Sequence, residues 1–452
     1  MSLSRTITHD IEDWYENGKK QALLIKGARQ TGKTFIIREF GDKHFTSVAE
    51  INFIENKDAA DILRKAANAR DMIARISLLT QTELIPGKTL IFLDEIQKFP
   101  EITTAIKFLV DEGSYRYILS GSLLGVDVQS IESVPVGYMR RLTMYPMDFQ
   151  EFLQALKVNQ TIIDTLHHAY ETRTPVEETL NQKILQLYHL YLMIGGMPAA
   201  VQTFLDTNNL RSTVDIQKSI ILMYKDDIAK YDPDHKLYIE ETFDLVPSEL
   251  NNRNKRFILK NLNENYKFNK EENSFIWLKD AGVAIPVYCC DEPVSPLMLS
   301  KSSNLFKLFA ADVGLLTAMY AGDTQLKILN GDLNINFGAI YENVVAQELT
   351  AHGFSPYYYN NKKRGEVDFV IEDDGEITPI EVKSGKNYNR HAALTNLLSV
   401  PDYHFKNPCV LAEANISVKN GILYLPVYMT MFMHVKTVPE DLVYVPDLSG
   451  LR

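Results

Sequence analysis

The segment Gly27–Thr34 constrains the fold more than any other part of this 452-residue chain. It fits the pattern Gly-x-x-x-x-Gly-Lys-Ser/Thr, follows the apolar stretch Ala22–Ile25, and precedes a stretch of helical character that starts at Lys33. From average composition, about one or two per cent of chains of this length would carry the pattern by chance, and the flanking stretches make chance rarer still. The sequence therefore predicts a strand, a glycine-rich turn and a helix, in that order.

The residue types of this segment suit the binding of a nucleoside triphosphate. Its glycines let backbone N–H groups curl around a phosphate, and the helix adds the positive end of its dipole. Lys33 would reach the β- and γ-phosphates and take part in catalysis, while the Thr34 hydroxyl would ligate Mg²⁺. We therefore expect ATP and Mg²⁺ as cofactors. The predicted nucleotide-binding residues are Gly27, Ala28, Arg29, Gln30, Thr31, Gly32, Lys33, Thr34 and Phe35.

A second apolar stretch, Leu90–Leu93, ends in two acidic residues, Asp94 and Glu95. An acid at the end of a buried strand can hold Mg²⁺ through water, and the next acid can orient the water that attacks the phosphate. A strand that ends in two acids is common by itself, but its position after a phosphate-binding loop favours a functional role. We assign Asp94 to the metal and Glu95 to general-base catalysis.

Two further pairs of polar residues are candidate sensors of the nucleotide. Ser120 and Ser122 follow another predicted strand, Tyr115–Leu119, where a hydroxyl could contact the γ-phosphate or the attacking water. A plain Ser-Gly turn is an equal alternative. Arg140 and Arg141 could sense the γ-phosphate in this subunit or in a neighbouring one, and a surface pair of arginines is the simpler interpretation.

A β-hairpin is predicted near the C-terminus. There the stretches Gly365–Ile371 and Ile377–Lys383 flank the dipeptide Asp374-Gly375, which is typical of a two-residue type I′ turn. In that register the facing pairs are Asp373 with Glu376, Asp368 with Glu381, and Glu366 with Lys383. Because side chains alternate along a strand, the last two pairs are expected on one face of the hairpin.

Facing carboxylates with a nearby lysine are the groups that a metal-dependent nuclease needs, because the acids bind Mg²⁺ and the lysine positions or activates water. Asp368, Glu381 and Lys383 supply these groups, and Glu342 on the preceding predicted helix is a further acid. Cross-strand ion pairs on a solvated face are the alternative. The pattern therefore leaves nuclease activity open.

Taken together, these motifs resemble those of bacterial and archaeal ATPases of the AAA superfamily that carry a DUF4143-type C-terminal region. The matches run along nearly the whole chain. In the first half they are Gly27–Thr34, Leu93–Gln97, Leu119–Ser122, Tyr145–Phe152 and Gly195–Pro198. In the second half they are Trp277–Gly282, Lys307–Phe309, Asp312–Leu315, Gly338–Asn343 and Gly365–Asp368.

The resemblance implies an α/β protein with four parts. They are an AAA-type P-loop ATPase core with a parallel sheet at residues 1–150, a helical lid at 151–235, a winged-helix-like region at 236–335, and a C-terminal α/β domain at 336–452. The last part is similar to restriction-endonuclease-like PD-(D/E)xK folds, whose signature Asp368, Glu381 and Lys383 match, with Glu342 as the helical acid. Independently, the alternation of apolar strands and helices in the first 150 residues indicates a parallel sheet covered on both faces.

Composition narrows the class of protein. The net charge of −11 argues against a constitutive nucleic-acid coat without excluding a local basic groove, and the basic stretch Arg253–Lys260 favours a solvated helix over a DNA contact. The three cysteines show neither zinc-like spacing nor a disulfide framework. The polar first twenty residues predict no leader, and the longest apolar stretch, Ile422–Phe432, is too short to span a membrane. We therefore expect a cytoplasmic protein without a membrane partner.

Three functions remain open from the sequence. The leading hypothesis is an ATP-hydrolysing AAA-type switch whose nuclease-like domain acts, or once acted, on nucleic acid. The rival is a nucleotide-gated interaction protein, in which ATP or ADP controls a surface for a protein partner and the C-terminal domain is inert. The third is a transport or signalling ATPase unrelated to nucleic acid. The sequence leaves the partner and the oligomeric state open.

Overall fold

Two β-sheets organise the part of the chain that the structure describes. The computed structural model describes residues 3–18, 20–122, 137–231, 236–251, 277–320, 337–385, 387–436 and 446. The strands are β1 (Ala22–Gly27), β2 (Ser47–Asn52), β3 (Thr89–Asp94), β4 (Arg116–Ser122), β5 (Met139–Met144), β6 (Ala284–Cys290), β7 (Lys301–Ala310), β8 (Tyr357–Asn361), β9 (Gly365–Asp373), β10 (Glu376–Lys383), β11 (Cys409–Ala412), β12 (Ser417–Lys419) and β13 (Ile422–Pro426). The helices are α1 (Ile7–Asn17), α2 (Lys33–His44), α3 (Ala59–Arg64), α4 (Ala69–Thr80), α5 (Ile102–Glu112), α6 (Phe149–Ala155), α7 (Gln160–Thr172), α8 (Glu178–Ile194), α9 (Pro198–Thr207), α10 (Leu210–Tyr231), α11 (Lys236–Asn251), α12 (Val313–Met319), α13 (Phe337–Ala351) and α14 (Ala392–Leu398).

The first sheet is parallel and has the strand order β2-β3-β4-β1-β5. Strand β3 is buried along its whole length, and β1 nearly so. Parallel neighbours need long crossover connections, and helices cover both faces of this sheet: α1 and α2 pack on one face, and α4 and α5 on the other. The predicted α/β core is confirmed, and the carboxyl ends of its strands meet at one edge.

The sequence does not predict strand β5. This strand pairs in parallel with β1, from Ala22↔Met139 to Gly27↔Met144. It lies at the edge of the sheet and is mostly half-buried or exposed, so its residues lack the continuous apolar pattern of an inner strand. The candidate sensors Arg140 and Arg141 lie within this strand.

A helical layer follows β5 and connects the two sheets. Helices α6 to α10 contribute to one apolar core that also includes residues of the C-terminal sheet. These helices span residues 149–231, and the predicted lid at residues 151–235 stays a prediction. Within the described ranges no helix is by itself long and apolar enough to cross a membrane, although α8 and α9, bent by 118° against each other, meet the length and composition test as a pair.

The second sheet is mixed and has the strand order β12-β13-β11-β10-β9-β8-β6-β7. The predicted domain boundary at residue 336 stays a prediction. Strands β6 and β7 precede it, and β6 pairs in parallel with β8, which follows it. Strands on both sides of the boundary thus share one sheet. Residues 252–276 and 321–336, including the basic stretch Arg253–Lys260, lie outside the described residues. The winged-helix-like region stays a prediction.

The Gly195-Gly196 pair between α8 and α9 lets this turn approach the chain before α6 and the chain before α12 closely. A Cβ atom at Gly196 would lie 1.9 Å from the carbonyl oxygen of Met147, and the Gly196 N–H donates to the Asp312 carboxylate at 2.6 Å. Asp312 also accepts the N–H of Leu315 at 2.9 Å, so it caps α12 as well. Burial raises the pKa of Asp312 to about 6. The motif around Gly196 and the motif around Asp312 therefore meet in one packing contact.

We predict that Gly196→Ala lowers the free energy of unfolding by about 3 kcal/mol, at the upper end of overpacking costs, because the new methyl group meets rigid backbone. Chemical denaturation measures the change. Gly385→Ala is the matched control, since a Cβ there has no atom within 4 Å, and it should change stability by less than about 0.5 kcal/mol. Equal stability of the two variants would contradict the packing argument.

Candidate functional site

The predicted nucleotide-binding loop connects the end of β1 to the start of α2. A Cβ atom at Gly27 would lie 2.3 Å from the carbonyl oxygen of Met144, so a side chain does not fit where β1 approaches β5. Gly32 has a φ of +96° immediately before α2, a conformation that residues with a side chain rarely adopt. The close approach of β5 therefore requires the first glycine of the pattern, and the backbone conformation of the loop requires the second.

The Lys33 side chain folds back against this loop. Its Nζ donates to the carbonyl oxygens of Gly27 at 3.0 Å and Ala28 at 2.8 Å. Burial lowers the pKa of Lys33 to about 8, against the opposing effect of the nearby Glu95 and Asp94 carboxylates. A buried ammonium group therefore lies where the loop would present its N–H groups to a phosphate.

Asp94 is the centre of a hydrogen-bond network at the carboxyl edge of the sheet, and it is 2 % exposed. Its Oδ2 accepts from the Thr34 hydroxyl at 3.1 Å and from Asn52 Nδ2 at 3.0 Å. Its Oδ1 accepts from the Ser120 hydroxyl and from the Glu95 N–H, the latter at 3.0 Å. The structure thus brings together Thr34, Asp94 and Ser120, which the sequence places far apart.

The Thr34 hydroxyl and the Asp94 carboxylate are oxygen donors of the kind that Mg²⁺ prefers, so these residues fit the expected metal. The sequence analysis missed two residues beside them. Asn52 ends β2 directly opposite Asp94, and Gln97 Nε2 donates to the Glu95 carboxylate. A polar residue at the end of the neighbouring strand was the signal for Asn52, whereas Gln97 lies in the motif Leu93–Gln97 without a role that its type predicts.

Two further predicted residues lie next to the loop. Ser122 ends β4, and its backbone pairs in register with Gly27. Phe35 lies in the first turn of α2 and is 57 % exposed, so its ring is accessible to a ligand. Their positions agree with the predicted site, and their roles in binding stay predictions.

The two arginines lie elsewhere. Arg140 forms an ion pair with Asp13 on α1, and Arg141 is exposed to solvent. Their backbone partners on β1 are Leu23 and Leu24, near the start of that strand rather than at its loop end. The structure does not bring either arginine to the loop of its own chain, and a role towards a neighbouring subunit stays a prediction.

Helix α10 of the helical layer holds the loop from one side. Arg29 Nη1 lies 2.7 and 2.8 Å from the two carboxylate oxygens of Asp227. The Tyr224 hydroxyl donates to the Arg29 carbonyl oxygen at 3.0 Å. Both ends of Arg29 are thereby fixed to α10, so the shape of the loop depends on where that helix lies.

Arg5, which no sequence motif marked, holds the loop from another side. Its buried guanidinium donates to the carbonyl oxygen of Thr31 at 2.8 Å and to that of Tyr145 at 2.6 Å. It also pairs with the Glu151 carboxylate at 3.0 Å. One side chain therefore connects the loop, the end of β5 and helix α6.

A buried cluster continues from α6 to the C-terminal sheet domain. Asp148 and Glu151 form a capping box at the start of α6. His352 Nε2, just after α13, lies 3.4 Å from Asp148 Oδ2 and 3.8 Å from Glu348 Oε2. The Phe149 N–H donates to Glu348 at 2.9 Å. Burial raises the pKa of Glu348 to about 8. Burial alone would lower the pKa of His352, but the carboxylates of Asp148 and Glu348 raise it.

Strands β9 and β10 form the predicted hairpin. They pair antiparallel in the predicted register, starting from Asp373↔Glu376. Asp374 and Gly375 have φ angles of 52° and 73°, and a type I′ turn requires positive values at both positions. The turn and the pairing are as the sequence predicts.

The hairpin and α13 assemble an acid cluster, which we define as Glu342, Glu366, Asp368 and Glu381. Lys383 Nζ lies 2.5 Å from Glu381 Oε1, and Asp368 Oδ2 accepts the Val382 N–H at 2.9 Å. Burial, together with the charge of Asp368, raises the pKa of Glu381 to about 8. The structure therefore brings together the four residues of the predicted nuclease-like site, which are Glu342, Asp368, Glu381 and Lys383.

A residue from outside the predicted site lies among these acids. Lys307 on β7 is fully buried, and its Nζ lies 2.8 Å from Glu366, 3.4 Å from Glu342 and 3.9 Å from Asp368. Among the described residues no group of three or more His, Cys, Asp or Glu side chains has a geometry that could hold a metal ion. A lysine ammonium group thus lies within 4 Å of three acids of the cluster.

Comparison with known proteins gives matches along most of the chain. Residues 19–153 match a family model described as an AAA domain, residues 185–327 match a domain of unknown function, DUF8612, and residues 337–429 match the domain of unknown function DUF4143. A curated relative is the uncharacterized protein MJ1637 of Methanocaldococcus jannaschii. It is 22% identical over 444 residues, which cover 92% of this chain and 85% of the relative.

Similar solved structures include the Aeropyrum pernix ORC1 protein in complex with DNA (11% identity, 72% of this chain and 90% of that chain, TM-score 0.23). Drosophila ORC bound to DNA has 15% identity, covers 74% and 97%, and has a TM-score of 0.28. The family models show that residues 19–153 are similar to AAA domains and residues 337–429 to the DUF4143 region, and the parallel sheet in the first segment agrees with the AAA match.

Proposed function

We propose that this chain binds ATP with Mg²⁺ through the loop Gly27–Thr34 and hydrolyses it. The observation that carries the proposal is the contact of Thr34 with Asp94, 3.1 Å apart, beside a loop that holds the buried ammonium group of Lys33. A hydroxyl, a carboxylate and an ammonium group are what a P-loop ATPase uses to bind Mg²⁺ and the phosphates.

Each of these groups has a distinct role under this proposal. Lys33 exchanges its bonds with the loop carbonyls for bonds with phosphate oxygens. Thr34 and Asp94 would hold Mg²⁺, which would neutralise the charge of the phosphates when it is bound. Glu95, whose carboxylate accepts a hydrogen bond from Gln97, receives the proton of the attacking water.

We further propose that the chain works as a nucleotide-gated switch. The loop is attached at Arg29 to α10 and at Thr31 to Arg5, so a loop that moves around a nucleotide must change at least one of these contacts. From Arg5 the contacts continue through Glu151 and the start of α6 to His352 beside α13. This buried path favours the switch over a solitary hydrolase. Action on nucleic acid has no comparable support, because a lysine lies among the acids that cutting would need.

We predict that Lys33→Ala weakens binding of ATP with Mg²⁺ at least about tenfold in isothermal titration calorimetry, because it removes the cation that meets the phosphates. Lys43→Ala is the matched control, since Lys43 lies on the same helix in an exposed pair with Glu12, and it should keep wild-type affinity. Equal affinities of Lys33→Ala and wild type would show that nucleotide does not bind at this loop.

Glu95→Gln should keep ATP affinity and lower the turnover number by about 10²–10⁴-fold, because glutamine keeps the shape but cannot accept a proton. Steady-state phosphate release measures the rate. The control is Glu101→Gln, a nearby exposed acid paired with Arg64, which should hydrolyse at the wild-type rate. Unchanged phosphate release by Glu95→Gln would move the base to another residue.

The switch predicts an effect at a distance. Addition of ATP with Mg²⁺ should change amide hydrogen exchange both at the start of α6 and in the last turn of α13, because the two are joined by Asp148 and His352. In His352→Gln the change should persist at α6 and diminish at α13. If amide exchange in α13 of the wild type does not respond to nucleotide, the switch is contradicted. The proposal of ATP hydrolysis would still stand.

A further inference from the structure

Lys307 has an unusual environment for a lysine. It is fully buried, and its Nζ has three acidic neighbours from two elements, Glu342 on α13 and Glu366 and Asp368 on β9. The ring of Tyr358 covers another side, with its centroid 5.1 Å from the Nζ. Lysine is almost never fully buried unless it is paired. The surroundings of Lys307 are therefore built around a positive charge at this point.

We propose that Lys307 is the permanent cation of the acid cluster, in the place that a divalent metal would take in a metal-dependent nuclease, and that the cluster binds no such metal. This inference concerns the C-terminal sheet domain and does not depend on ATP hydrolysis by the loop.

The distances support this assignment. A metal ion shared by Glu342 and Asp368 would lie about 2.0–2.6 Å from an oxygen of each. The Lys307 Nζ lies 3.4 Å from Glu342 Oε2 and 3.9 Å from Asp368 Oδ1, so the ammonium group is within 4 Å of both oxygens. An ion bound to the same oxygens would be next to another positive charge, and that repulsion is strong in a buried site.

Two ammonium groups of the chain itself lie among these acids. Lys307 Nζ lies 2.8 Å from Glu366 and 3.4 Å from Glu342. Lys383 Nζ, on the half-buried side of the cluster, lies 2.5 Å from Glu381 Oε1. Lysine side chains therefore already offset much of the negative charge that a metal ion would otherwise neutralise.

Lysine differs from a metal in one respect that matters for function. It is part of the chain, so it neutralises the acids at all times and supplies neither a Lewis acid nor a metal-bound water. The cluster then joins β7, β9 and α13 as a structural contact. Since α13 also carries Glu348, the same helix links this cluster to the buried contacts around His352.

The proposal is tested by measuring Mn²⁺ binding in the absence of nucleotide. Electron paramagnetic resonance gives the concentration of free Mn²⁺. Wild type and Asp368→Asn should bind the same amount of Mn²⁺, because the cluster holds none. Lys307→Met should gain one site, and Lys307→Met with Asp368→Asn should lose it again. Lys301→Met, on the exposed end of the same strand, is the matched control and should bind no additional Mn²⁺.

Two outcomes would overturn the proposal. One is metal use by the wild-type cluster. It would be seen as a Mn²⁺ site that is lost in Asp368→Asn, or as Mn²⁺-dependent cutting of single- or double-stranded DNA that is lost in Asp368→Ala. The other is a folded Lys307→Met that gains no site. If circular dichroism shows Lys307→Met to be unfolded, the comparison of wild type with Asp368→Asn decides by itself.

Discussion

The parallel pairing of β1 with β4 and β5 is the constraint on which the proposed site depends. It aligns Gly27 with Ser122 on one side and Met144 on the other, and the pairing of β2 with β3 places Asn52 beside Asp94. Because parallel strands end at the same edge of a sheet, groups far apart in sequence meet around one loop. The close approach of β5 explains why Gly27 has no room for a side chain, and the chain leaving β5 supplies the carbonyl oxygen that Arg5 binds and then the start of α6.

Buried charge joins this loop to the rest of the molecule. Burial of an ion pair is costly, and its net contribution to stability is small or negative unless its hydrogen bonds are satisfied. Such contacts are more informative about specificity, because removal of one partner leaves a buried charge without compensation. Arg5 with Glu151, and His352 with Asp148 and Glu348, fix the relative position of the loop, α6 and α13. Lys307 fixes α13 against β7 and β9 in the same way. A rearrangement of the loop would therefore change costly contacts, which makes a distant response physically reasonable.

Local patterns predicted much of this arrangement, and long-range contacts could not be predicted. The loop, the acids after β3 and the hairpin register follow from segments of fewer than twenty residues, in which spacing and turn chemistry are sufficient. Strand β5 was missed because an edge strand needs no continuous apolar pattern. Arg5, His352 and Lys307 were missed because nothing near them in sequence reveals the partners Thr31, Asp148 and Glu342, each at least 26 residues away. The pairing of β6 with β8 across residue 336 could not be predicted for the same reason.

The most direct test of the account is a crystal structure with Mg²⁺ and a non-hydrolysable ATP analogue. The account predicts that Lys33 leaves the carbonyl oxygens of Gly27 and Ala28 and contacts the phosphates, with Mg²⁺ beside Thr34 and Asp94 and with Lys307 still among its acids. A nucleotide bound away from this loop, or a metal ion bound between Glu342 and Asp368, would contradict it.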